Sequence, residues 1–235
     1  MSTLSFIWQA RWRLCIYMGL MIAMLTSKAA AAGEAEPALL AASARGDHAQ
    51  VQTLLAQGAN IEARNSQGAT ALLVATHGNH VQAARVLIEA GADVNAKDNI
   101  KDSPYLYAGA RGHNDILQLT LQHGADLKST NRYGGIALIP AAERGHVDTV
   151  RLLIAAGSNV NHVNNLDWTA LLEAIILGDG GARHVQIVRL LVEAGADVNL
   201  ADGQGVTPLQ HARQHGYAPM EEILLAAGAR DQSGR

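Results

Sequence analysis

One sequence period, repeated six times, organises most of this 235-residue chain. Six Gly-Ala or Gly-Ser pairs begin at Gly58, Gly91, Gly124, Gly157, Gly195 and Gly228, and their successive positions differ by 33, 33, 33, 38 and 33. A second series of short motifs keeps the same register, beginning at Thr70, Ser103, Ile136, Thr169 and Thr207. A fixed period of this length predicts one supersecondary unit that is stacked repeatedly into an elongated array.

Each unit predicts two short helices and a turn. Thr or Ser before the first helix can accept hydrogen bonds from its free N–H groups, and Pro104 and Pro208 suit its first turn. Apolar residues then follow with helical spacing, and a Gly-His pair such as Gly112-His113 separates the two helices. The glycine of each Gly-Ala pair suits a left-handed helix end, and the Asp- and Asn-rich stretch after it predicts a β-turn.

These motifs resemble the ankyrin repeat, whose unit opens with Thr-Pro-Leu-His, contains Gly-His and ends with Gly-Ala-Asp-Val-Asn. The resemblance covers about residues 37–230 and implies an all-α solenoid of helix-turn-helix units joined by β-turn fingers. It divides the chain into residues 1–32, described below, and a repeat domain over 33–235. The six predicted repeats cover residues 33–64, 65–97, 98–130, 131–163, 164–201 and 202–235.

Several positions depart from the ankyrin pattern. The histidine of Thr-Pro-Leu-His is absent, and the residues in its place are Leu73, Leu106, Ile139, Leu172 and Gln210. We expect less rigid repeats as a result, and we expect the four apolar replacements to be exposed and able to support self-association. Ankyrin stacks are nevertheless often monomers, and a monomer is the expectation for this chain.

Two further departures concern the course of the chain. Pro140 falls inside the predicted first helix of the fourth repeat, where it removes a backbone donor and is expected to kink the helix. The fifth repeat carries five extra residues within the Gly-rich stretch 178–183, which predicts a flexible, widened loop between its two helices.

Residues 1–32 have the pattern of a secretory signal peptide. They contain no acidic residue, and Arg11 and Arg13 precede an uncharged apolar run from Leu14 to Leu25. Small residues follow, so cleavage is expected near Ala32. The alternative is an uncleaved N-terminal membrane anchor, although twelve apolar residues are short for a span of about twenty. The resemblance to exported bacterial ankyrin repeat proteins favours the periplasm or secretion, with no stable membrane anchor after cleavage.

Composition and charge exclude several function classes. The chain after residue 32 keeps 15 basic residues against 21 acidic ones, and this negative charge argues against a nucleic-acid partner. It contains no cysteine, so a disulfide framework and a thiol nucleophile are excluded. The sequence contains no phosphate-binding glycine loop and no Gly-x-Ser-x-Gly motif. We therefore expect neither an enzyme nor a cofactor.

The histidines raise the question of a metal site. His80, His113 and His146 recur at one repeat length, and His184 follows in the same place after the insertion, so we interpret them as structural residues of the turn. His211 and His215 are four residues apart on one predicted helix, a spacing that can bind a metal. No third ligand is evident, and we expect these two side chains to lie on a solvated helix face.

The remaining class is a protein-binding scaffold, since ankyrin proteins usually bind partners on the concave face that the fingers and first helices form. Tyr and Trp are scarce here, yet Tyr133 and Trp168 fall on neighbouring fingers. Tyr, Trp and Arg are enriched where binding energy is concentrated. The predicted partner-binding residues are Arg132, Tyr133, Asn165, Leu166, Trp168, Ile176, Arg111, Glu143 and His77. Tyr105 and Tyr107 are expected to pack in the core, and Trp168 has the alternative role of packing between fingers.

Three function classes remain. The favoured one is an exported, non-enzymatic scaffold that binds a protein partner. The first alternative is a secreted effector or inhibitor that acts on a foreign protein. The second alternative, which the composition disfavours, is a metal-binding or enzymatic protein.

Overall fold

A computed structural model of the protein describes residues 35–230. The predicted signal peptide, its cleavage site near Ala32 and the last five residues lie outside the described residues. Within residues 35–230 the chain forms twelve helices, and one isolated β-bridge between Arg64 and Thr70 is the sole strand-like pairing there. The predicted all-α solenoid is confirmed.

The helices come in six pairs, and each of the six predicted repeat ranges contains one pair. Helix α1 occupies residues 35–45 of the described chain. The others are α2 (His48–Ala56), α3 (Ala71–His77), α4 (Val81–Glu89), α5 (Pro104–Arg111), α6 (Asn114–Gln122), α7 (Leu138–Glu143), α8 (Val147–Ala155), α9 (Ala170–Ile176), α10 (Ala182–Glu193), α11 (Pro208–His215) and α12 (Ala218–Ala226).

Two layers result from this arrangement. The first helices α3, α5, α7, α9 and α11 pack in series, and the second helices α4, α6, α8, α10 and α12 pack behind them. Small residues allow a close approach: a Cβ atom at Gly109 of α5 would lie 2.8 Å from the Cβ of Ala137, just before α7. The core between the layers is aliphatic, with Tyr105 the largest fully buried side chain among the described residues. This confirms the predicted packing of Tyr105.

The predicted helix starts are confirmed in four repeats. The hydroxyls of Thr70, Ser103, Thr169 and Thr207 each accept a hydrogen bond from the backbone N–H three residues later, at 3.2–3.3 Å. In the sixth repeat Gln210 also accepts a bond from the Thr207 N–H at 2.9 Å, which completes a capping box.

The expectation that Leu73, Leu106, Ile139 and Leu172 are exposed is wrong. All four are buried, with at most 3% of their surface exposed. They lie in the first turn of their helices, where the stacking of neighbouring first helices covers them. They therefore stabilise the stack, and the basis for self-association through these side chains disappears.

Contrary to expectation, Pro140 does not interrupt a helix. Ile136 stands where the other repeats have Thr or Ser, so α7 has no side-chain cap, and it begins only at Leu138. Pro140 consequently occupies the first turn, where a backbone N–H has no partner within the helix anyway. The consequence of this arrangement is a helix of only six residues.

The glycine-rich insertion is packed rather than open. Part of it extends α10, which begins at Ala182 and is the longest of the fully described helices. The Tyr217 hydroxyl donates to the Gly178 carbonyl oxygen at 3.1 Å, and the Tyr217 ring covers Gly180. The Asp179 carboxylate accepts from the Gly181 N–H at 2.9 Å and lies 2.7 Å from the His184 ring. The expected widened loop is present, and contacts from the sixth repeat hold it.

Candidate partner-binding face

Five fingers share one local geometry that places their tips in a row. In each finger an Asn or Asp side chain accepts hydrogen bonds from the N–H groups two and four residues later, at 2.9–3.0 Å; these residues are Asn65, Asp98, Asn131, Asn164 and Asp202. Positive φ angles close the turns at a glycine or, in two fingers, at Lys101 (66°) and Asp167 (60°). Because the geometry repeats, equivalent fingertip residues lie side by side.

Three successive fingertips expose large apolar side chains. Ile100, Tyr133 and Leu166 recur at the repeat period and are 51%, 54% and 54% exposed. We call these three residues the fingertip row. Backbone bonds join the fingers, since the Asn165 N–H donates to the Tyr133 carbonyl oxygen at 2.9 Å. Apolar groups of this size on an otherwise polar rim are typical of a surface that a partner covers.

Beside two of these fingertips, Tyr133 and Leu166, lies a cavity of about 410 Å³, which we call the central pocket. Its helical wall comes from α5, α7 and α9, through Tyr107, Arg111, Glu143, Arg144, Glu173 and Leu177. Its finger wall includes Asp102, Asn131, Arg132, Tyr133, Asn164 and Leu166. Ile139 and Pro140 also line it. The central pocket therefore spans the third, fourth and fifth repeats.

The structure brings five of the predicted site residues together. Arg111, Arg132, Tyr133, Glu143 and Leu166 line the central pocket.

The other four predicted residues lie elsewhere. Asn165 is exposed at a fingertip. Trp168 and Ile176 are half-buried, and neither lines the pocket, although residues close to them in the sequence do. His77 is exposed, and its ring packs on the ring of Tyr107 with centroids 4.4 Å apart.

Sequence reasoning missed Tyr107, Glu173, Asn164, Asp102 and Leu177. The sequence predicts Tyr107 in the core, but this side chain is half-buried and faces the pocket. The sequence contained a signal for two of the missed residues. The residues four positions after Thr70, Ser103, Ile136, Thr169 and Thr207 are Val74, Tyr107, Pro140, Glu173 and His211. This row faces the fingers, and Glu173 is its one carboxylate.

The arginines of the central pocket lie at its rim and already have partners. The Arg111 guanidinium lies over the Tyr107 ring at 5.3 Å, and that of Arg132 lies over the Tyr133 ring at 4.8 Å. Arg144 donates to the Ala110 carbonyl oxygen at 2.6 Å and so ties α7 to α5. All three side chains are exposed. They shape the entrance to the pocket and leave its floor to the carboxylates.

Glu173 is the most unusual group in the pocket. It is only 5% exposed, and its Oε1 accepts a hydrogen bond from Asn164 Nδ2 at 2.8 Å. Burial, and next the negative charge of Glu143, raise its pKa to about 7, against the smaller opposing effects of Asn164 and Arg144. A carboxyl group that titrates near neutral pH in a cavity is a marker of a functional site.

The other titratable groups of this region shift less. Burial, followed by the neighbouring charge of Asp98, raises the pKa of Asp102, although Arg132, His77 and Arg111 oppose the shift. Burial lowers the pKa of His77, which favours its neutral form against Tyr107.

The recurring histidines are structural residues, as predicted, and the structure shows that they connect adjacent repeats. His80 Nε2 lies 3.0 Å from the Ala44 carbonyl oxygen, and His113 Nδ1 lies 3.0 Å from that of Thr76. His184 Nε2 is 2.9 Å from the Glu143 carbonyl oxygen, and the His146 ring lies beside Gly112. Each ring thus satisfies or covers the end of the preceding first helix.

The histidine pair of the sixth repeat has separate partners. His211 Nε2 lies 2.8 Å from Asp202 Oδ2, whereas the His215 ring stacks on Tyr217 at 5.2 Å. Within residues 35–230 no group of three His, Cys, Asp or Glu side chains is arranged to hold a metal ion. Over the same residues, no helix has both the length and the apolar character needed to cross a lipid bilayer.

Comparison with known families identifies ankyrin repeats in this chain. A family model for ankyrin repeats (3 copies) matches residues 19–98, 105–202 and 141–234. Among curated proteins, the ankyrin repeat protein YahD of Escherichia coli (strain K12) is 40% identical over 62 residues, which is 26% of this chain. That stretch spans only 31% of YahD.

Solved structures extend the likeness over most of the chain. An ankyrin repeat domain from Acinetobacter baumannii AYE is 66% identical, with a TM-score of 0.80 over 82% of this chain and 98% of the other. The ankyrin repeat protein EF0377 is 41% identical, with a TM-score of 0.79 over 83% of this chain and 98% of the other. The ankyrin repeat domain of Bcl-3, a member of the IkappaB family, is 25% identical, with a TM-score of 0.74 over 82% and 86% of the two chains.

Proposed function

Because the chain belongs to the ankyrin repeat family, whose repeats are protein–protein interaction modules, we propose that it is a non-enzymatic scaffold that holds a protein partner on its finger face. By finger face we mean the surface that the fingers and the first helices form. The partner would contact the fingertip row and enter the central pocket, with Arg132, Tyr133, Leu166, Arg111 and Glu143 among the contacts.

One observation carries this proposal: two of the three fingertip residues, Tyr133 and Leu166, also line the central pocket. An exposed apolar rim beside a recess provides both the area that excludes water and the place where a side chain can anchor. Ankyrin folds are typically non-enzymatic, and the carboxylates of the pocket have no nucleophile or metal cluster beside them in the described residues. Binding is therefore the chemistry that this face supports best.

We further propose that the protein acts outside the cytoplasm, in the periplasm, after residues 1–32 are removed. The basic start, the short apolar run and the small residues up to Ala32 support export. A protein without cysteine after residue 32 needs no disulfide chemistry in that compartment. A secreted effector that binds a foreign protein is the alternative outcome of the experiment below.

The test is capture from periplasmic extract of the producing cell with the purified protein. The double variant Tyr133→Ala, Leu166→Ala should lose at least about 90% of a specifically captured protein, because removing two anchors costs a few kcal/mol. Leu225→Ala is the matched control, since Leu225 is also exposed (45%) but lies on α12, away from the fingertip row. Trp168→Ala tests the remaining predicted aromatic. The intact mass of the exported protein should lack residues 1–32.

Equal capture by the wild type and the double variant would refute the binding face. If nothing is captured from the periplasm but a protein of a foreign cell is, the effector alternative replaces the periplasmic scaffold. Retention of residues 1–32 in the membrane fraction would replace export by anchoring.

A further inference from the structure

We propose that the central pocket receives one basic side chain, lysine or arginine, from the protein partner, with Glu173 and Glu143 as the charges that recognise it. This inference deepens the proposed function and rests on it. It assigns a ligand chemistry to Glu173, a buried carboxyl group that lines the pocket.

The balance of charge around Glu173 favours a cation. Two carboxylates, Glu173 and Glu143, act here against the single guanidinium of Arg144. Arg144 is exposed, and its guanidinium donates to the Ala110 carbonyl oxygen and makes no hydrogen bond to Glu173 in the structure. The remaining pocket carboxylate, Asp102, is offset by Arg132 and Arg111. Over the whole pocket three carboxylates face three guanidinium groups, so the excess of negative charge is local to the α7–α9 side, where Glu143 and Glu173 outnumber Arg144.

The hydrogen bonds of Glu173 leave it able to bind a donor. Asn164 Nδ2 donates to Oε1, and the structure shows no partner bond to Oε2 within the described residues. A carboxylate can accept several hydrogen bonds, and a charged donor strengthens each of them. An ammonium or guanidinium group in the pocket would supply both the missing charge and the missing donors.

The walls of the pocket suit the stem of a basic side chain. Ile139, Pro140, Leu166 and Leu177 line the same cavity as Glu173. Lysine and arginine carry apolar stems that pack on such walls while their charged ends reach a polar group. A volume of about 410 Å³ holds one such side chain together with part of the backbone that bears it. On the α7–α9 side of the pocket, an acidic side chain would meet the like charges of Glu143 and of ionised Glu173.

The titratable groups near Glu173 lie on the helices that pack against α9. On α7, Glu143 and Arg144 act on Glu173 through their charges. On α10, the His184 ring lies between Asp179 and the Glu143 carbonyl oxygen. On α11, His211 is paired with Asp202. Since a cation favours ionised Glu173, binding of the basic side chain should release a proton near neutral pH.

The experiment titrates the isotope-labelled protein with blocked pentapeptides Gly-Ser-X-Ser-Gly, followed by NMR at the Asn164 side-chain amide. X is lysine or arginine in the basic probes, and norleucine or citrulline in the neutral probes of matched length. At pH 8 we expect each basic peptide to bind at least about tenfold more tightly than its neutral counterpart. Binding should weaken about tenfold at pH 6, because a carboxyl group with a pKa of about 7 is then mostly protonated.

Two variants make the result specific. Glu173→Gln keeps the acceptor for Asn164 but cannot ionise, so the preference for the basic peptides and its pH dependence should disappear. Glu193→Gln makes the same change at an exposed site on α10 and should bind like the wild type. A pH dependence that comes from histidines would persist in Glu173→Gln, so this variant separates it from the titration of Glu173.

The inference is overturned if neither basic peptide gives a saturable shift, if the neutral peptides bind equally, or if the preference persists in Glu173→Gln. Its failure differs from failure of the scaffold proposal. If Glu173→Gln captures the partner as the wild type does, while the Tyr133→Ala, Leu166→Ala variant does not, the scaffold stands and the basic anchor falls. If Glu173→Gln loses capture of the partner by itself, without the fingertip substitutions, the basic anchor is supported.

Discussion

At the scale of single residues, the folded protein buries the carboxyl group of Glu173 in surroundings that disfavour its ionised form. Glu173 is buried on α9 with one amide donor and a second carboxylate nearby. In the unfolded chain it would ionise near its ordinary pKa of 4.5, whereas the folded protein holds it protonated up to about 7. The folded state binds more protons between these values, so its stability falls as the pH rises through that range. A residue that reduces stability at neutral pH is consistent with a role in binding.

This linkage gives a stability prediction for Glu173→Gln. Glutamine resembles the protonated carboxyl group, so at pH 4, where Glu173 is mostly protonated in both states, the variant should unfold at nearly the same denaturant concentration as the wild type. At pH 8 the wild type has ionised Glu173, and the variant should be more stable by up to about 3 kcal/mol, as the shift in pKa to about 7 implies. Urea unfolding at both pH values measures this difference.

Glu193→Gln is the control for that measurement, since an exposed carboxylate should have almost no effect at either pH. Destabilisation by Glu173→Gln at pH 8 would contradict the prediction, because it would mean that the ionised carboxylate is favourably paired in the folded protein.

At the scale of helices and fingers, the sequence predicted what depends on local chemistry. The caps at Thr70 and Thr169 depend on the one residue that precedes each helix, which the sequence shows directly. The caps recur with the period, so four copies supported the same interpretation.

Features that depend on the neighbouring repeat were predicted less well. Leu73 and its equivalents were expected on the surface, but they are buried in the stacked array of repeats. Tyr107 and Glu173 line the pocket only because α5, α7 and α9 stand side by side under the fingers. Pairwise comparison of the periodic row Val74, Tyr107, Pro140, Glu173 and His211 would have indicated this face from sequence.

Asparagine side chains connect repeats at the level of the finger loops. Asn95 Nδ2 donates to the Gly124 carbonyl oxygen at 3.0 Å, and its Oδ1 accepts from the Asp126 N–H at 2.9 Å. Asn161 and Asn199 make the same two bonds to the following repeat, at 2.8–3.3 Å. We call this pair of bonds the amide clamp.

Removal of one amide clamp should therefore weaken one junction. Asn161→Ala loses two hydrogen bonds and leaves the Gly195 carbonyl and the Asp197 N–H without their partner, which costs about 1–2 kcal/mol. Lys128→Ala at the equivalent position of the third repeat breaks no such bond and should change the stability by less than about 0.5 kcal/mol. Thermal unfolding of the two variants measures the difference, and equal effects would contradict the role of the clamp.

At the scale of the whole molecule, stability is close to a sum over repeats and the junctions between them. The junction between the third and fourth repeats differs from the others in the described chain. Lys128 replaces the clamp asparagine there, α6 and α8 make the slightest contact among successive second helices, and α7 is short and uncapped. The central pocket spans this same junction. We expect this junction to be the weakest in the stack, and the proposed binding face lies across it.

Hydrogen exchange should reveal this weakness in the free protein. In a uniform stack the central repeats are the best protected, because neighbours cover them on both sides. Here the amides of α7 and α8 should exchange faster than those of α4 and α10. Lys128→Asn would place an amide opposite the Gly157 carbonyl and the Asn159 N–H, the counterparts of the groups that Asn95 contacts. This variant should gain about 1–2 kcal/mol and slow exchange in α7 and α8, since the added bonds close the junction. Uniform protection of α4 through α10 in the wild type, or no gain from Lys128→Asn, would show instead that the close approach of α5 and α7 at Gly109 already holds the two halves together.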